Sequence, residues 1–243
     1  MIPKIIHYCW FGRNPLPESA QKCIASWREF LPDYEIKEWN EDNFDVNIIP
    51  YTQQAYEAKK YAFVSDYARF WILYHYGGLY FDTDVEVIKP MDDIIERGAF
   101  MGIEVPGQNG KLPMVAPGLG LGTEAKTSFY KAALEKYKDL QFLNEDGTLN
   151  EKTIVSYNTE LLTKYGLRPT NDVQLVGEIW IYPVDYFNPF NDLTGKLKVT
   201  ENTRSIHWYS KTWNHQNPLR QWLSRMSHRL FGMWLHRLRS ILK

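Results

Sequence analysis

The chain has few cysteines and no long apolar run. Cys9 and Cys23 are its only cysteines among 243 residues, too few for a disulfide framework or a zinc site built from thiolates alone. No stretch approaches the roughly 20 uninterrupted apolar residues of a membrane-spanning helix. Residues 1–12 also lack the basic region, apolar core and cleavage site of a signal peptide. We therefore expect a protein of the reducing cytoplasm that is not exported by that route.

Acidic residues are missing from the C-terminal part of the chain. Eight Lys or Arg and no Asp or Glu lie between Asn202 and Lys243, although the whole chain has a net charge of −1. Residues 1–201 therefore hold 20 basic and 29 acidic residues, a net charge of −9. The rest of the composition is ordinary for a soluble globular protein, with 44% hydrophobic and 23% charged residues. No nucleic-acid partner is expected.

Strand and helix patterns alternate along the first 90 residues. The residue patterns predict strands at 4–10, 34–39, 79–88, 100–105 and 179–183, and helices ending near Leu31 and over about 53–76 and 124–137. This order predicts an α/β fold, a Rossmann-like mixed sheet flanked by helices, with ligands at the carboxyl ends of the strands.

The helical segment from Tyr61 to Tyr76 combines burial with charge. Its apolar side chains surround nearly the whole helix, so we expect it to be buried. Asp66 and Arg69 nevertheless lie three residues apart on one face. Burying a charge costs several kcal/mol of folding free energy unless an opposite charge or a ligand compensates for it. Either an intrahelical ion pair or a ligand-facing role therefore fits this pattern.

Asp82 and Asp84 follow the glycine pair Gly77-Gly78 and an aromatic run. On a strand, the two carboxylates would share one face at about 6.5 to 7 Å. Such like charges repel unless a cation lies near them, and a divalent metal also binds phosphate oxygens. The alternative is a pair of solvated turn residues. Glu86 would lie on the same face of such a strand, and we expect it to support the fold rather than to bind metal.

Two further patterns bear on this site. His207, Ser210 and Trp213 are spaced three apart, with Lys211 between them, and could supply an imidazole ligand and a phosphate-neutralising charge. A DxD-type phosphohydrolase also begins with Asp-x-Asp after an apolar strand. That motif needs Thr or Val where this chain has Glu86, so the phosphohydrolase interpretation is weaker.

Three segments together resemble one known family. They are IPKIIHYCWFG near the start, SDYARFWILYHYGGLYFDTDVEV in the middle and IHWYSKTW near residue 210. In this order and at these separations they resemble glycosyltransferase family 32, which groups bacterial capsular polysaccharide transferases with yeast initiating mannosyltransferases. The resemblance covers roughly residues 2–215.

The resemblance implies an A-type glycosyltransferase fold that binds a nucleotide-sugar and Mn²⁺ or Mg²⁺. Asp84 and His207 would be the metal ligands, and Asp82 would hold hydroxyls of the donor. The catalytic residues it implies are Asp66, Arg69, Asp82 and Asp84, and the cofactor-binding residues are Cys9, Trp10, Tyr80, Ser210, Lys211 and Trp213.

The function that the resemblance implies is a retaining transfer of a hexose to a bacterial surface glycan, capsular polysaccharide or lipopolysaccharide, on a lipid-linked acceptor. We favour UDP-galactose or UDP-glucose as donor, with GDP-mannose as the alternative. A non-catalytic sugar-binding or scaffold protein with a degenerate transferase fold is the competing hypothesis, and the intact Asp82, Asp84 and His207 argue against it.

Residues 218–243 repeat apolar side chains at helical spacing, with Trp222 and Trp234 on the apolar face and mainly basic side chains opposite. A basic amphipathic helix of this kind is typical of an interfacial membrane helix. The alternative is packing on the protein's own core or on a partner subunit. We predict a catalytic domain at 1–216, a membrane-associating helix at 217–243, and a peripheral location on the inner face of the plasma membrane.

Overall fold

The computed structural model describes residues 1–210. The predicted helix at 217–243, together with Lys211 and Trp213, lies outside the described residues. Within residues 1–210, no helix has both the length and the apolar character needed to cross a membrane.

The described part contains seven helices and twelve strands. The helices are α1 Glu18–Phe30, α2 Pro50–Glu57, α3 Tyr61–Tyr76, α4 Asp92–Ile95, α5 Ser128–Lys138, α6 Ile154–Lys164 and α7 Val184–Phe187. The strands are β1 Ile5–Cys9, β2 Glu35–Trp39, β3 Gly78–Tyr80, β4 Val85–Val87, β5 Phe100–Val105, β6 Met114–Ala116, β7 Leu121–Thr123, β8 Gln174–Val176, β9 Ile179–Tyr182, β10 Phe190–Asn191, β11 Lys196–Leu197 and β12 Ser205–His207.

The central sheet is mixed and has the strand order β2-β1-β3-β7-β5-β9-β8, with β6 paired to β5. Strand β1 is parallel to β2 and β3, and β5 is parallel to β9. Strand β7 is antiparallel to both β3 and β5. Strands β1, β2, β3, β5 and β9 therefore run in one direction, and their carboxyl ends lie at one edge. The predicted Rossmann-like mixed sheet is confirmed.

Both faces of this sheet are covered, because alternate side chains of each strand point to opposite sides. Leu79 and Phe81 enter one core together with Trp27 of α1. Tyr80, between them, enters the other core together with Phe70 of α3. Helix α3 is mostly buried, as its apolar circumference predicts, although Tyr76 at its end is 43% exposed.

The predicted helix over about 53–76 is interrupted. Helix α2 ends at Glu57 and α3 begins at Tyr61. Lys59 between them has a φ of 57°, in the left-handed region that ends a helix. The N–H of Lys60 then donates to the carbonyl of Ala55, which closes the corner. Side-chain periodicity continues across this corner, so the pattern alone did not indicate it.

The predicted single strand at 79–88 is wrong. Strand β3 ends at Tyr80 in the central sheet, and β4 begins at Val85 in a separate two-stranded sheet with β12. Between them the N–H of Val85 donates to the carbonyl of Asp82 at 3.0 Å and closes a turn. Asp82 and Asp84 therefore lie in a turn and do not alternate along one strand.

Candidate functional site

A cavity of about 710 Å³ opens at the carboxyl edge of the central sheet. Three strands that run in the same direction deliver residues to it. Cys9 ends β1 and Trp10 follows it, Asp82 lies after β3, and Glu104 lies near the end of β5. Other lining residues are Asn14, Pro15, Tyr61, Arg69, Asp84, His207, Tyr209 and Ser210. This is the strand edge at which the α/β pattern predicts ligands.

The turn between β3 and β4 brings both aspartates to the same side of the cavity. Strand β12 pairs antiparallel with β4, which places His207 opposite Val85. The carbonyl of Asp84 accepts from the N–H of Trp208 at 2.9 Å. Backbone pairing thus joins Asp84 to a histidine that is far away in sequence.

Asp82, Asp84 and His207 form the one described group of carboxylate and imidazole side chains that could hold a metal ion. Each offers one ligand atom, and the three atoms lie within 4.8 Å of one another in the part of the chain covered by residues 1–210. Two carboxylate oxygens and one imidazole nitrogen suit Mn²⁺ or Mg²⁺. The donor set therefore fits a divalent metal.

Asp84 is the more strongly bound of the two carboxylates. Its Oδ1 lies 3.0 Å from Nε2 of His207. Its Oδ2 accepts from the backbone N–H of Ser210 at 2.8 Å and from the Ser210 hydroxyl at 3.1 Å. Burial opposes ionisation of Asp84, but the charge of His207 and these hydrogen bonds lower its pKa to about 2. Asp84 is therefore held as an anion.

Arg69 links the helix α3 to the turn. Its guanidinium forms ion pairs with Asp66 at 2.9 Å and with Asp82 at 3.3 Å. Burial raises the pKa of Asp66 to about 7, against the opposing effect of Arg69. Asp66 also accepts from the backbone N–H of Ile154 at the start of α6. Arg69 lines the cavity, whereas Asp66 lies behind it.

The intrahelical ion pair predicted on α3 is confirmed, and a ligand-facing role for the same charges stays a prediction. Asp66 and Arg69 form an intrahelical ion pair, and Arg69 at the same time faces the cavity beside Asp82. A direct contact of Asp66 with a donor sugar stays a prediction. The geometry gives Asp66 the role of orienting the Arg69 guanidinium.

Tyr80 supports the site from the core, and Cys9 and Trp10 at the end of β1 line the cavity. Tyr80 is buried, and its hydroxyl donates to Oδ1 of Asp82 at 3.2 Å while its ring lies 4.9 Å from the Arg69 guanidinium carbon. Trp10 and Cys9 line the cavity, and Nε1 of Trp10 donates to the carbonyl of Asn14 at 2.6 Å. Burial raises the pKa of the Cys9 thiol to about 12, so Cys9 is a neutral apolar wall.

Glu104 and Tyr209 are among the cavity residues that sequence reasoning missed. A signal for Glu104 was present, because it ends the strand predicted at 100–105, where a ligand site is expected. Tyr209 lies inside the motif IHWYSKTW but had no assigned role. Glu86 accepts from Nε1 of Trp208 at 2.7 Å, a contact that holds β12 against β4.

Comparison with known proteins identifies the segment that builds this turn. Residues 17–101 match the family described as the glycosyltransferase sugar-binding region containing the DXD motif. The chain carries a glycosyltransferase DXD region. Asp82-Thr83-Asp84 is its DXD motif, and the predicted resemblance to these glycosyltransferases is confirmed.

Curated relatives of the DXD region include yeast and viral proteins. Inositol phosphoceramide mannosyltransferase 1 of Schizosaccharomyces pombe is 31% identical over 111 residues, which cover 41% of this chain and 33% of that protein. An uncharacterized glycosyltransferase of Acanthamoeba polyphaga mimivirus is 26% identical over 200 residues, 79% of this chain and 77% of that protein. The matches thus span about a third of the S. pombe enzyme but most of the viral protein.

A solved structure shares the fold. The crystal structure of a glycosyltransferase involved in the glycosylation of the major capsid of PBCV-1 has a TM-score of 0.51 at 13% identity. The match covers 86% of this chain and 95% of that one. The A-type glycosyltransferase fold expected from the DXD glycosyltransferase region is therefore confirmed.

Proposed function

We propose that this protein is a metal-dependent, retaining hexosyltransferase that uses a nucleotide-sugar donor. The observation that carries the proposal is the convergence of Asp82, Asp84 and His207, from a turn and a distant strand, on a cavity at the carboxyl edge of the sheet. The DXD region and the names of the relatives support a transferase.

The cavity is lined by aromatic and apolar side chains and by charged ones. Trp10, Pro15 and Tyr61 offer an aromatic and apolar surface on which a nucleobase can stack. Arg69 and Asp82 line the same cavity and can bind charged and hydroxyl groups of a donor.

Asp84 and His207 would hold the divalent metal. When bound, that metal would stabilise the negative charge that develops on the diphosphate leaving group. The backbone N–H of Ser210 fixes Asp84 as an anion before any ligand arrives. Arg69 keeps Asp82 oriented, which preserves the direction of its carboxylate during the reaction.

The sequence and the relatives favour different donor sugars. UDP-galactose and UDP-glucose are our sequence-based expectation, whereas the relatives named as mannosyltransferases favour GDP-mannose. All three belong in a binding test. The relatives that are named for inositol phosphoceramide support a lipid-linked acceptor at a membrane. The basic residues of 218–243 support a peripheral location on the cytoplasmic face of that membrane.

The test measures slow release of nucleoside diphosphate from each donor without acceptor, with and without Mn²⁺. Asp84→Asn keeps the shape of the side chain but removes a metal-binding charge, so the Mn²⁺-dependent rate should fall on the order of 100-fold. Asp139→Asn is the matched control, because Asp139 is exposed at the end of α5, far from the turn in sequence.

The products distinguish the hypotheses. A transferase acting on water releases nucleoside diphosphate and free sugar, whereas a phosphohydrolase that cleaves the diphosphate linkage releases nucleoside monophosphate and sugar 1-phosphate. Retention of the wild-type rate in Asp84→Asn would exclude the proposed metal role. If no donor raises the unfolding temperature of the wild-type protein with Mn²⁺, the sugar-nucleotide function is wrong, since a bound ligand must stabilise the folded state.

A further inference from the structure

Glu104 is a carboxylate that lines the cavity. It belongs neither to the DXD motif nor to the group of Asp82, Asp84 and His207 that could hold a metal. It lies near the carboxyl end of β5, which is separated from β3 by β7 in the central sheet. Asp82 follows β3 at the same edge of the sheet, so Glu104 and Asp82 enter the cavity from the same direction. Their charges are close enough to interact, and the charge of His207 also reaches Glu104.

The side chain of Glu104 is held by a tyrosine in a rare backbone conformation. The hydroxyl of Tyr209 donates to Oε1 of Glu104 at 3.2 Å, and the same hydroxyl accepts from Nδ2 of Asn188 at 2.8 Å. Tyr209 has a φ of 50°, which is uncommon for a residue other than glycine and persists only where the surroundings enforce it. Its ring centre lies 4.1 Å from that of His207.

This carboxylate has unused capacity to accept hydrogen bonds. A carboxylate has about four lone-pair sites, and Tyr209 uses one of them. Among residues 1–210, no Lys, Arg or His forms an ion pair with Glu104. Burial raises its pKa, although the charge of His207 and the hydrogen bond of Tyr209 oppose this effect. Glu104 therefore lines the cavity without an ion-pair partner among residues 1–210.

We propose that Glu104 recognises the hexose that is transferred, by accepting hydrogen bonds from its hydroxyl groups, and that Tyr209 positions Glu104 for this task. The inference rests on the proposed function, and it assigns the sugar end of the cavity to the region between Asp82 and Glu104.

Charge decides which part of the donor binds there. A diphosphate next to Glu104 would meet a like charge in a partly desolvated place, and such contacts are strongly unfavourable. Neutral hydroxyl groups instead donate to a carboxylate through charge-assisted hydrogen bonds. The positive charge that develops on the sugar ring as the bond to the leaving group breaks would also be stabilised by Glu104.

The experiment compares binding of a nucleoside diphosphate with binding of its sugar-bearing form, both in the full-length chain with Mn²⁺. The probes are UDP with UDP-glucose and UDP-galactose, and GDP with GDP-mannose, measured by calorimetric titration. Glu104→Gln should weaken the best-bound nucleotide-sugar roughly tenfold, the effect of losing one charge-assisted hydrogen bond. Binding of the matching nucleoside diphosphate should change less than about twofold, since that part does not touch Glu104.

Two variants make the result specific. Tyr209→Phe removes the hydroxyl that orients Glu104 and should reproduce the selective loss in part. Glu145→Gln changes an exposed glutamate to the same residue and should leave both affinities unchanged.

The outcomes separate the two proposals. The sugar-recognition role would be overturned if Glu104→Gln binds the nucleoside diphosphate and the nucleotide-sugar with equally reduced affinity, or if neither affinity falls. Failure of the wild-type protein to bind any nucleotide-sugar would instead overturn the proposed function itself.

Discussion

At the scale of single residues, His7 shows how a buried ionisable group is kept neutral. It lies in the middle of β1 and is fully buried. Its Nε2 lies 3.0 Å from the carbonyl of Gly77 and so donates to it, and its Nδ1 accepts from Nε1 of Trp39 at 3.0 Å. One ring nitrogen must carry a proton and the other must not, so both hydrogen bonds are made only by the neutral ring.

This arrangement predicts a stability that falls in mild acid. Burial, and to a smaller extent the charge of Lys37, lower the pKa of His7 from 6.5 to about 4 in spite of the hydrogen bond to Gly77. The unfolded chain therefore binds the proton more tightly than the folded one. The free energy of unfolding should fall as the pH drops from 6.5 to 4, by about 3 kcal/mol from this group. Urea unfolding at a series of pH values measures it.

The matched variant is His7→Gln, whose amide has a donor and an acceptor but no proton to gain in this range. We expect it to be less stable than wild type at pH 7 and to lose less stability between pH 6.5 and 4. An unchanged pH slope in this variant would show that His7 is not the responsible group.

At the scale of elements, the two turns that meet beside Asp82 determine the geometry of the site. Gly118 lies between β6 and β7, and its carbonyl accepts from the N–H of Asp82 at 3.4 Å. A Cβ on Gly118 would collide with Oδ2 of Asp82 and would press on Nη1 of Arg69. The absence of a side chain at this position lets the turn of the DXD motif approach.

Gly118→Ala should therefore damage activity more than stability. The added methyl displaces the Asp82 carboxylate, and a misplacement of about 1 Å can reduce the rate 10- to 100-fold. The measurement is Mn²⁺-dependent release of nucleoside diphosphate from the donor, with the thermal unfolding midpoint recorded for the same preparation.

Gly122→Ala provides the contrast from the neighbouring strand β7. Its Cβ would press on Phe100 and Leu79 in the core, and overpacking of that kind costs about 1–3 kcal/mol. This variant should lose stability and keep its activity per folded molecule. If Gly118→Ala instead lowers the unfolding midpoint and leaves the rate intact, the close approach at Asp82 serves only the fold.

At the scale of the whole molecule, opposite charges are separated along the chain. Residues 1–201 have a net charge of −9, and eight basic residues follow without an acidic one. An acidic surface is repelled by an anionic membrane, so we propose that the basic residues after 201 bring the protein to the membrane that would hold its proposed lipid-linked acceptor.

We predict that the full-length chain co-sediments with vesicles that contain phosphatidylglycerol and that removal of residues 218–243 abolishes this binding. Replacement of Arg225, Arg229 and Arg239 by Gln in the full-length chain should weaken it strongly, by about 1 kcal/mol for each basic residue near the surface. Vesicles of phosphatidylcholine alone and a series of salt concentrations are the controls, because charge attraction is screened by salt. Equal binding with and without residues 218–243 would contradict the membrane role.

Local patterns were sufficient for part of this protein. The strands near residues 5–9 and 35–39, the stop of α3 at Gly77 and the burial of that helix follow from side-chain periodicity and from the φ freedom of glycine. These signals act over a few residues, so they can be read from the sequence itself. The motif resemblance added the DXD glycosyltransferase region and the expectation of a divalent metal.

Only the tertiary structure decided how the site is put together. Residues 79–88 alternate like one strand, yet the chain leaves the central sheet at Asp82 because β4 pairs with β12 instead. That pairing brings His207 to Asp84, and the parallel direction of β3 and β5 brings Glu104 to the same cavity. The sequence determined which side chains have the right chemistry. Their distances depend on backbone pairing between segments that are distant in sequence, such as β4 and β12, which lie more than 100 residues apart. No local pattern contains that pairing.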